Sequence, residues 1–507
     1  MWTITNRLTG KQIKMQKQNS LTPEEREFLS VVREASLANP FSRKRIDMDL
    51  KISGFFPGVS RTQRIDKTVN EVSRRIHDLE KKDRADINLF SGKDRLLIEA
   101  AFLFEFFYRF RHHFDPLIEN QIQAGDTSVK VAFAPEAMAL LRKRGFSVPE
   151  SQRYFALGYQ LRRAFFFIGR SLIGKSKIMR ELRRSLWDNV FTHNLDLYNR
   201  YLWNRMEDFS TLLLGETGTG KGTAAMAMGR SGFIPFNERK RCFVESFTRS
   251  FSALNFAQFP ETLIESELFG HKKGAFTGAV KDFKGIFDKC SPYGAILLDE
   301  IGEISTPVQI KLLQVLQERT FTPVGSHEQS RFQGRVIAAT NRSMAEIRDK
   351  GVFRDDFYYR LCSDQITVPP LRQRIQEDGR ELGDLLAHTV QRMVGKPSPE
   401  LVEMVQGVID KNLGPDYPWP GNVRELEQCV RSVLLRQSYA GDRKSALPDL
   451  EASLTRGIKI GDMDAQNLVS GYCRLLHQRH GTFEEVARRT RLDRRTVKKY
   501  IGESEKP

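Results

Sequence analysis

The sequence predicts an α/β core built on a parallel sheet, with a mostly helical region before it and a small all-α segment after it. Three observations carry that prediction. From about residue 171 to 440, short apolar runs alternate with helical stretches, the pattern of a parallel sheet covered by helices. One of those runs, Thr211–Leu214, opens directly into a glycine-rich stretch, GETGTGKGT. On both flanks, apolar residues recur at helical rather than alternating spacing.

The chain has 507 residues, enough for two to four domains, and its 40 % hydrophobic and 28 % charged content is that of a globular protein. The formal net charge of +17 points to a polyanionic partner, most simply nucleic acid, with a solvated basic surface as the alternative. No apolar run approaches the length of a membrane span, and the opening MWTITNRLTGKQIKMQ lacks the apolar core of a signal peptide. Cys242, Cys290, Cys362, Cys429 and Cys473 show no CxxC spacing, so they read as reduced thiols. Together these features predict a cytoplasmic protein with no membrane contact.

Residues 1–170 are predicted to be mostly helical. In LLIEAAFLFEFFYRFRHHF, the side chains of Leu103, Phe106, Phe107, Phe110 and Phe114 share one helical face, which suits a domain core or a dimer interface. AFAPEAMALLRKRG and PESQRYFALGYQLRRAFFFIG read as further amphipathic helices. The adjacent His112 and His113 diverge on a helix and make a poor metal site. An α/β part at 171–375 and a helical part at 376–440 follow, then a polar linker at 441–460 and a final helical segment at 461–507.

The glycine-rich stretch fits a phosphate loop. Gly215, Gly220 and Lys221 match G-x-x-x-x-G-K, and the run Gly215, Glu216, Thr217, Gly218, Thr219, Gly220 can turn successive N–H groups toward a phosphate. The following helix adds the positive end of its dipole, and Lys221 can reach β and γ phosphates. The hydroxyl residue that usually follows the lysine is replaced by Gly222, with Thr223 one position late. GAILLDE reads as an apolar strand ending in Asp299, suited to Mg²⁺, and Glu300, suited to polarising water. GRVIAATNR supplies a further strand ending at Asn341, placed to sense the γ-phosphate. The set predicts a P-loop ATPase using ATP and Mg²⁺.

Over roughly half the chain, the motifs resemble the AAA+ domain of bacterial enhancer-binding proteins, the activators of polymerase carrying a sigma-54 type factor. The stretches that carry the resemblance are LIGKSKIMREL, GETGTGKG, LNFAQFPETLIESELFGHKKGAFTGA, GAILLDEIGEIS, QIKLLQVLQERTFTPVGS, FRDDFYYRL, PPLRQR and YPWPGNVRELEQCV, in family order. The fold this implies is an α/β AAA+ P-loop ATPase core with a helical lid, flanked by a mostly helical N-terminal domain and a small all-α helix-turn-helix domain. In the family the hexapeptide Gly274, Ala275, Phe276, Thr277, Gly278, Ala279 tips a loop that touches the sigma factor. An exposed Phe276 is then explained by a partner that covers it in one state of the cycle.

The resemblance also implies roles for single residues. Asn255 would hold the catalytic Glu300, and Arg354 and Arg360 would act as fingers on a neighbouring subunit's ATP. Arg424 would read nucleotide from the lid, and Ile173 would lie against the adenine. Implied partners are the sigma-54 type factor with RNA polymerase, upstream promoter DNA, and further copies of the chain, from dimer to hexamer. The sequence departs from the family pattern at Gly222, at Phe256 in NFAQ, at Lys272, and in a long stretch, FTHNLDLYNRYLWNRMEDFS, before the phosphate-loop strand.

GTFEEVARRTRLDRRTVKKYI reads as helix, turn, helix. Phe483, Val486 and Ala487 lie inward, Asp493 caps the second helix, and Val497 and Tyr500 lie inward on it. Arg494, Arg495, Thr496, Lys498 and Lys499 would face the DNA, the alternative being a charged solvent face. The N-terminal region lacks the acid and lysine pattern of a phosphoacceptor receiver. Its basic, aromatic helices could bind an unidentified regulatory partner, control oligomerisation or hold the ATPase off.

Overall fold

A computed structural model describes residues 19–349, 351–441, 454–455, 457–458, 461 and 463–502. The N-terminal stretch read for a signal segment and most of the predicted 441–460 linker lie outside the described residues. The chain divides into two compact units, Met1–Val402 with Gly421–Glu427, and Glu403–Pro420 with Gln428–Pro507. Among the described residues no helix is long and apolar enough to cross a membrane.

The first unit is organised by a five-stranded parallel sheet. Strands β1 (Thr211–Leu214), β4 (Phe251–Asn255), β5 (Ala295–Asp299), β8 (Arg335–Thr340) and β9 (Asp364–Thr367) run in the order β4-β5-β8-β1-β9. Two short hairpins, β2 (Phe236–Asn237) with β3 (Cys242–Phe243) and β6 (Thr320–Phe321) with β7 (Ser330–Arg331), stand apart from it. Side chains alternate across the sheet because a strand has period two. Leu212, Leu214, Ile296, Leu298, Val336 and Ala338 enter one core, while Leu213, Ala295, Leu297, Ile337 and Ala339 enter the other. Asn255 pairs in register with Asp299, which pairs with Ala339, so the carboxyl ends of β4, β5 and β8 lie side by side. Ligands of open parallel sheets bind at such ends.

Among the described residues the sheet is preceded by the helices α1 (Pro23–Leu37), α2 (Arg43–Ser53), α3 (Arg61–Lys81), α4 (Gly92–Ala124), α5 (Ala134–Lys143), α6 (Val148–Ser171) and α7 (Lys177–Phe191), and by shorter turns such as Leu195–Leu197. Their starts are encoded locally. Thr22 with Glu25, and Ser147 with Glu150, form reciprocal capping boxes that satisfy the free N–H groups of the first turns of α1 and α6. In α4, the predicted Phe106, Phe110 and Phe114 are buried, but Leu103 and Phe107 are only half-buried, while Phe102 and Phe104 are buried too. The apolar surface is wider than one stripe because α1, α3, α5 and α6 all pack on α4.

The helices and the sheet share one hydrophobic core. On α6, Phe155 lies 4.6 Å from the Phe236 ring and Tyr159 stacks on Phe243 at 4.2 Å. Gln160 Nε2 donates to the Ser231 carbonyl (2.9 Å) and to the Tyr198 hydroxyl (2.8 Å). Arg163, fully buried, donates to the carbonyls of Arg230 (3.2 Å) and Gly232 (2.5 Å). Burial lowers its guanidinium to about 10. These carbonyls follow the helix Lys221–Gly229, whose C-terminal end favours a cation. The long stretch before β1 joins the same core through Tyr198 and through Trp203, 4.8 Å from Phe233.

In the second unit the helices Ala465–His480, Phe483–Thr490 and Arg494–Gly502 surround Cys473, Leu476, Val486 and Val497. Phe483, Ala487 and Tyr500 pack against that core, as their spacing predicts, and Leu492 at the turn joins them. Asp493 Oδ1 accepts from the Arg495 N–H at 2.7 Å, which fixes the start of the last helix.

Candidate nucleotide site and surface loop

The loop between β1 and the helix Lys221–Gly229 is shaped by its glycines. Gly218 has φ +79°, and a Cβ there would stand 2.2 Å from the Gly421 carbonyl oxygen and 3.0 Å from Arg424 Cβ. Val423 N donates to the Gly218 carbonyl (3.1 Å), and Asn422 Nδ2 donates to that of Thr217 (3.0 Å). The loop is therefore clamped to the stretch Gly421–Glu427. Gly218→Ala is expected to push the clamp open and weaken nucleotide binding by roughly tenfold, the effect of about 1.4 kcal/mol, read by titration of a fluorescent ATP analogue.

Lys221 Nζ donates to the carbonyls of Gly215 (2.7 Å) and Glu216 (3.2 Å), poised across the loop mouth. Burial lowers its pKa, and the charges of Glu300 and Asp299 oppose that shift. The Glu216 carboxylate turns away from the mouth onto Arg372 (2.5 and 2.7 Å) and Asn422 Nδ2 (3.2 Å). Gly215 and Glu216 are absent from the cavity lining, so any part Glu216 has in phosphate binding falls to its backbone N–H and not to its carboxylate. Its side chain braces the loop instead. A Cβ at Gly222 would meet nothing within 4 Å, so packing does not demand glycine there.

The acidic pair sits at the end of β5. Asn255 Nδ2 donates to Asp299 Oδ2 at 3.1 Å, so in this structure Asn255 holds Asp299 rather than Glu300. The parallel register explains this contact, because Asn255 and Asp299 are directly opposed. Glu300 adopts φ +55°, a left-handed conformation uncommon for a side chain of this size. Its Oε2 accepts from the Asn341 N–H at 3.3 Å, and Asn341 Nδ2 reaches Thr217 Oγ1 at 3.4 Å. Asn341 thus links the acid to the phosphate loop. Among the described residues no group of three or more His, Cys, Asp or Glu could hold a metal. One carboxylate beside a phosphate loop suits Mg²⁺, which keeps waters and takes phosphate oxygens rather than an all-protein cage.

Lys221, Asp299 and Glu300 open onto a cavity of about 360 Å³, whose lining does not include Asn255 or Asn341. Thr217, Gly218, Thr219, Gly220, Lys221, Gly222 and Thr223 line it together with Asp299, Glu300, Ile173 and Arg424. Met179, Leu182 and Leu385 extend the apolar side next to Ile173. Sequence reasoning missed Arg374, which also lines the cavity. It donates to the Ile173 carbonyl (2.6 Å) and to Glu381 Oε2 (2.7 Å). Glu381 is buried, and it accepts from the N–H groups of Lys175 (2.5 Å) and Ser176 (2.7 Å). Burial raises its pKa, but these bonds and Arg374 outweigh that and hold it low. PPLRQR marked the neighbourhood of Arg374, whereas nothing in the sequence marked Glu381.

Arg354 and Arg360 do not line this cavity. Arg354 is exposed and paired with Asp356 (2.8 Å), and Arg360 Nε donates to the Leu316 carbonyl (2.9 Å).

The hexapeptide forms a compact turn. Gly274 N donates to the Ala279 carbonyl (2.8 Å), and Gly274 and Gly278 take φ +82° and +100°. Phe276 is 38 % exposed and lies edge-on to His271 at 4.9 Å, while Val280 is 79 % exposed. His271 bridges Phe283 on one side and Val324 on the other, and Lys272 N donates to the Val324 carbonyl at 3.0 Å. Gly325, in the β6–β7 connection, approaches so closely that a Cβ would be 2.6 Å from Ala275 Cβ. That second loop is a buttress the sequence did not announce.

In the second unit Arg494, Arg495, Lys498 and Lys499 are exposed, with Arg494 paired to Glu484 at 2.8 Å. Thr496 is half-buried, which leaves it less accessible than its neighbours.

A parallel sheet whose strand β1 opens into a glycine-shaped loop, with an acidic pair at the end of β5, defines a P-loop nucleotide-binding domain. More particularly, residues 194–367 match the Sigma-54 interaction domain. The chain is 43% identical to the Nif-specific regulatory protein of Azotobacter vinelandii over 46% of its own length and 41% of that protein's. It is 36% identical to the DNA-binding transcriptional regulator NtrC of Rhizobium meliloti (strain 1021), over 55% of this chain and 52% of that one. The matches span about half or less of each relative. NtrX from Brucella abortus is matched among solved structures at a TM-score of 0.39 and 20% identity, over 73% of this chain and 79% of that one.

Proposed function

We propose that the chain is an ATP-driven activator of transcription that remodels polymerase bound to a sigma-54 type factor. The observation that carries this reading is the intact hexapeptide Gly274–Ala279, held on a buttressed turn with Phe276 and Val280 facing solvent, in a chain that also keeps the glycines and lysine of a phosphate loop and the acidic pair.

In this reading Ile173, Met179 and Leu182 pack the adenine, and the loop N–H groups with Lys221 bind the phosphates. Asp299, fixed by Asn255, holds Mg²⁺, which when bound neutralises phosphate charge. Glu300 orients and polarises the attacking water, and Asn341 keeps Glu300 in place. Arg424 reads the phosphate state. Arg354 and Arg360 act on a neighbouring subunit's ATP, so hydrolysis requires assembly from dimer toward a hexameric ring. The basic face carrying Arg494, Arg495, Lys498 and Lys499, with Thr496 at its margin, binds upstream promoter DNA with strong salt dependence. The N-terminal helices control the ATPase, and the protein works in the cytoplasm.

The test is open-complex formation by polymerase with its sigma-54 type factor, on a template carrying the protein's binding site, with ATP hydrolysis followed in the same tubes. Wild type is expected to open the promoter. Thr277→Ala is expected to keep hydrolysis within about threefold and to lose most of the opening, since a surface-loop substitution leaves the cavity intact. Hydrolysis by wild type without opening would reject the activator reading.

A further inference from the structure

A second, larger cavity lies in the N-terminal half of the chain, with a volume of about 510 Å³. It is bounded by α1, α2, α3, α4, α6, Trp187 of α7 and residues 195–200 on the way to β1, and it shares no lining residue with the nucleotide cavity. A volume of this size suits a small molecule. Its apolar wall includes Leu103, Phe104, Phe107, Leu161, Phe165 and Trp187.

Its charged wall is unbalanced. Eight arginines line the cavity against four carboxylates. The carboxylates are all engaged within the protein. Asp196 takes Arg33 (3.1 Å) and Arg200 (3.0 Å), Asp66 takes Arg111 (3.1 Å), and Glu99 accepts the Tyr154 hydroxyl (2.5 Å). Asp49, buried, takes Arg45 at 2.9 Å. Arg162 reaches out of the cavity to Asp115 (2.6 Å). Among the described residues no carboxylate forms an ion pair with Arg61 or Arg64, and Arg64 Nε is buried without a hydrogen-bond partner. The Arg61 guanidinium lies 4.9 Å from the centre of the Phe165 ring, with Arg162 at 5.2 Å from the same ring. Arg61 is exposed over much of its surface; partial desolvation of its guanidinium and the nearby Arg64, Arg45 and Arg162 lower its pKa, which Tyr108 partly offsets. A buried guanidinium N–H without a partner is costly, and guanidinium forks match the geometry of a carboxylate.

We propose that this cavity binds a small aromatic carboxylate, its ring against Phe165, Trp187 and their apolar neighbours and its carboxylate on Arg61 and Arg64. The site is independent of the ATPase reading and its occupancy is measured without nucleotide.

The test is calorimetric titration of the full chain with 2-naphthoate and, separately, with neutral 2-naphthamide. Wild type is expected to bind the acid about tenfold or more tightly than the amide, the range for a charge-assisted hydrogen bond. Arg64→Gln is expected to erase that preference. Leu161→Trp fills the cavity and is expected to abolish binding of both probes while the chain still melts cooperatively. The Trp187 emission should shift with the acid in wild type, and Trp187→Phe should remove that shift while keeping the heat. No heat from 2-naphthoate at millimolar concentration, or equal binding by wild type and Arg64→Gln, overturns the proposal.

Discussion

Glu300→Gln is expected to lower ATP turnover by about a hundredfold or more while leaving ATP affinity within about twofold, because positioned general-base groups contribute 10²–10⁴-fold to rate. The geometry separates the two quantities. In the proposed reading affinity rests on the glycine-shaped loop, Lys221 and the apolar patch around Ile173, none of which bonds to the Glu300 carboxylate. The glutamine amide has nearly the same shape and keeps an oxygen for the Asn341 N–H, so the local fold should survive. What disappears is the negative charge that polarises water. Turnover is measured by phosphate release and affinity by titration of the same preparation. A rate within tenfold of wild type would move the catalytic role away from Glu300. The comparison with Asp299→Asn sharpens the assignment. Asn255 bonds Asp299, so that substitution disturbs a hydrogen bond between strands as well as the proposed Mg²⁺ ligand, and it should cost both affinity and rate.

The parts of this site that were legible in the sequence are those encoded within a few residues. The phosphate loop needs glycines at fixed offsets after a short apolar strand, and β1 ends at Leu214, where the run Thr211–Leu214 predicts. The acids follow β5 in the same local way. The contacts that escaped are made across the fold. Asn255 meets Asp299 through strand register, which no local spacing reveals. Glu381 reaches Arg374 and the N–H groups of Lys175 and Ser176, about 205 residues away along the chain. The Glu216 carboxylate answers to Arg372, a partner 156 residues away that the loop sequence does not mark. The aromatic stripe of α4 was visible as a period. What it packs against depends on four other helices and could not be read from that period.

The same distinction governs the N-terminal region, which reads in sequence as a separable regulatory domain. A chain beginning at residue 171 is expected to lose cooperative melting or to aggregate, in contrast to the full chain. Removing α6 would uncover Phe236, Phe243 and Phe247, each at most 5 % exposed in the complete structure. Phe155, Tyr159 and Phe167 cover them at ring distances of 4.6, 4.2 and 5.4 Å. Re-exposing three such side chains costs roughly 5–9 kcal/mol at about 1.5–3 kcal/mol each, comparable with the whole stability of a typical domain, about 5–15 kcal/mol. Gln160 and Arg163 would leave the carbonyls of Ser231, Arg230 and Gly232 without those donors, next to the C-terminal end of the helix that carries Lys221. Part of that loss is offset. Arg163 is held against its own desolvation, as its lowered pKa records, so its removal restores a hydration free energy that the aromatic term does not return. The aromatic term decides the sign. The measurement is thermal unfolding followed by circular dichroism, with size-exclusion chromatography, on 171–507 and on the full chain. A truncated chain that stays monodisperse and melts within a few degrees of the full one would mean that the shared core contributes little and that the N-terminal helices act as a detachable module. Loss of folding would instead mean that any control they exert passes through the packed contact of α6 with the phosphate-loop helix.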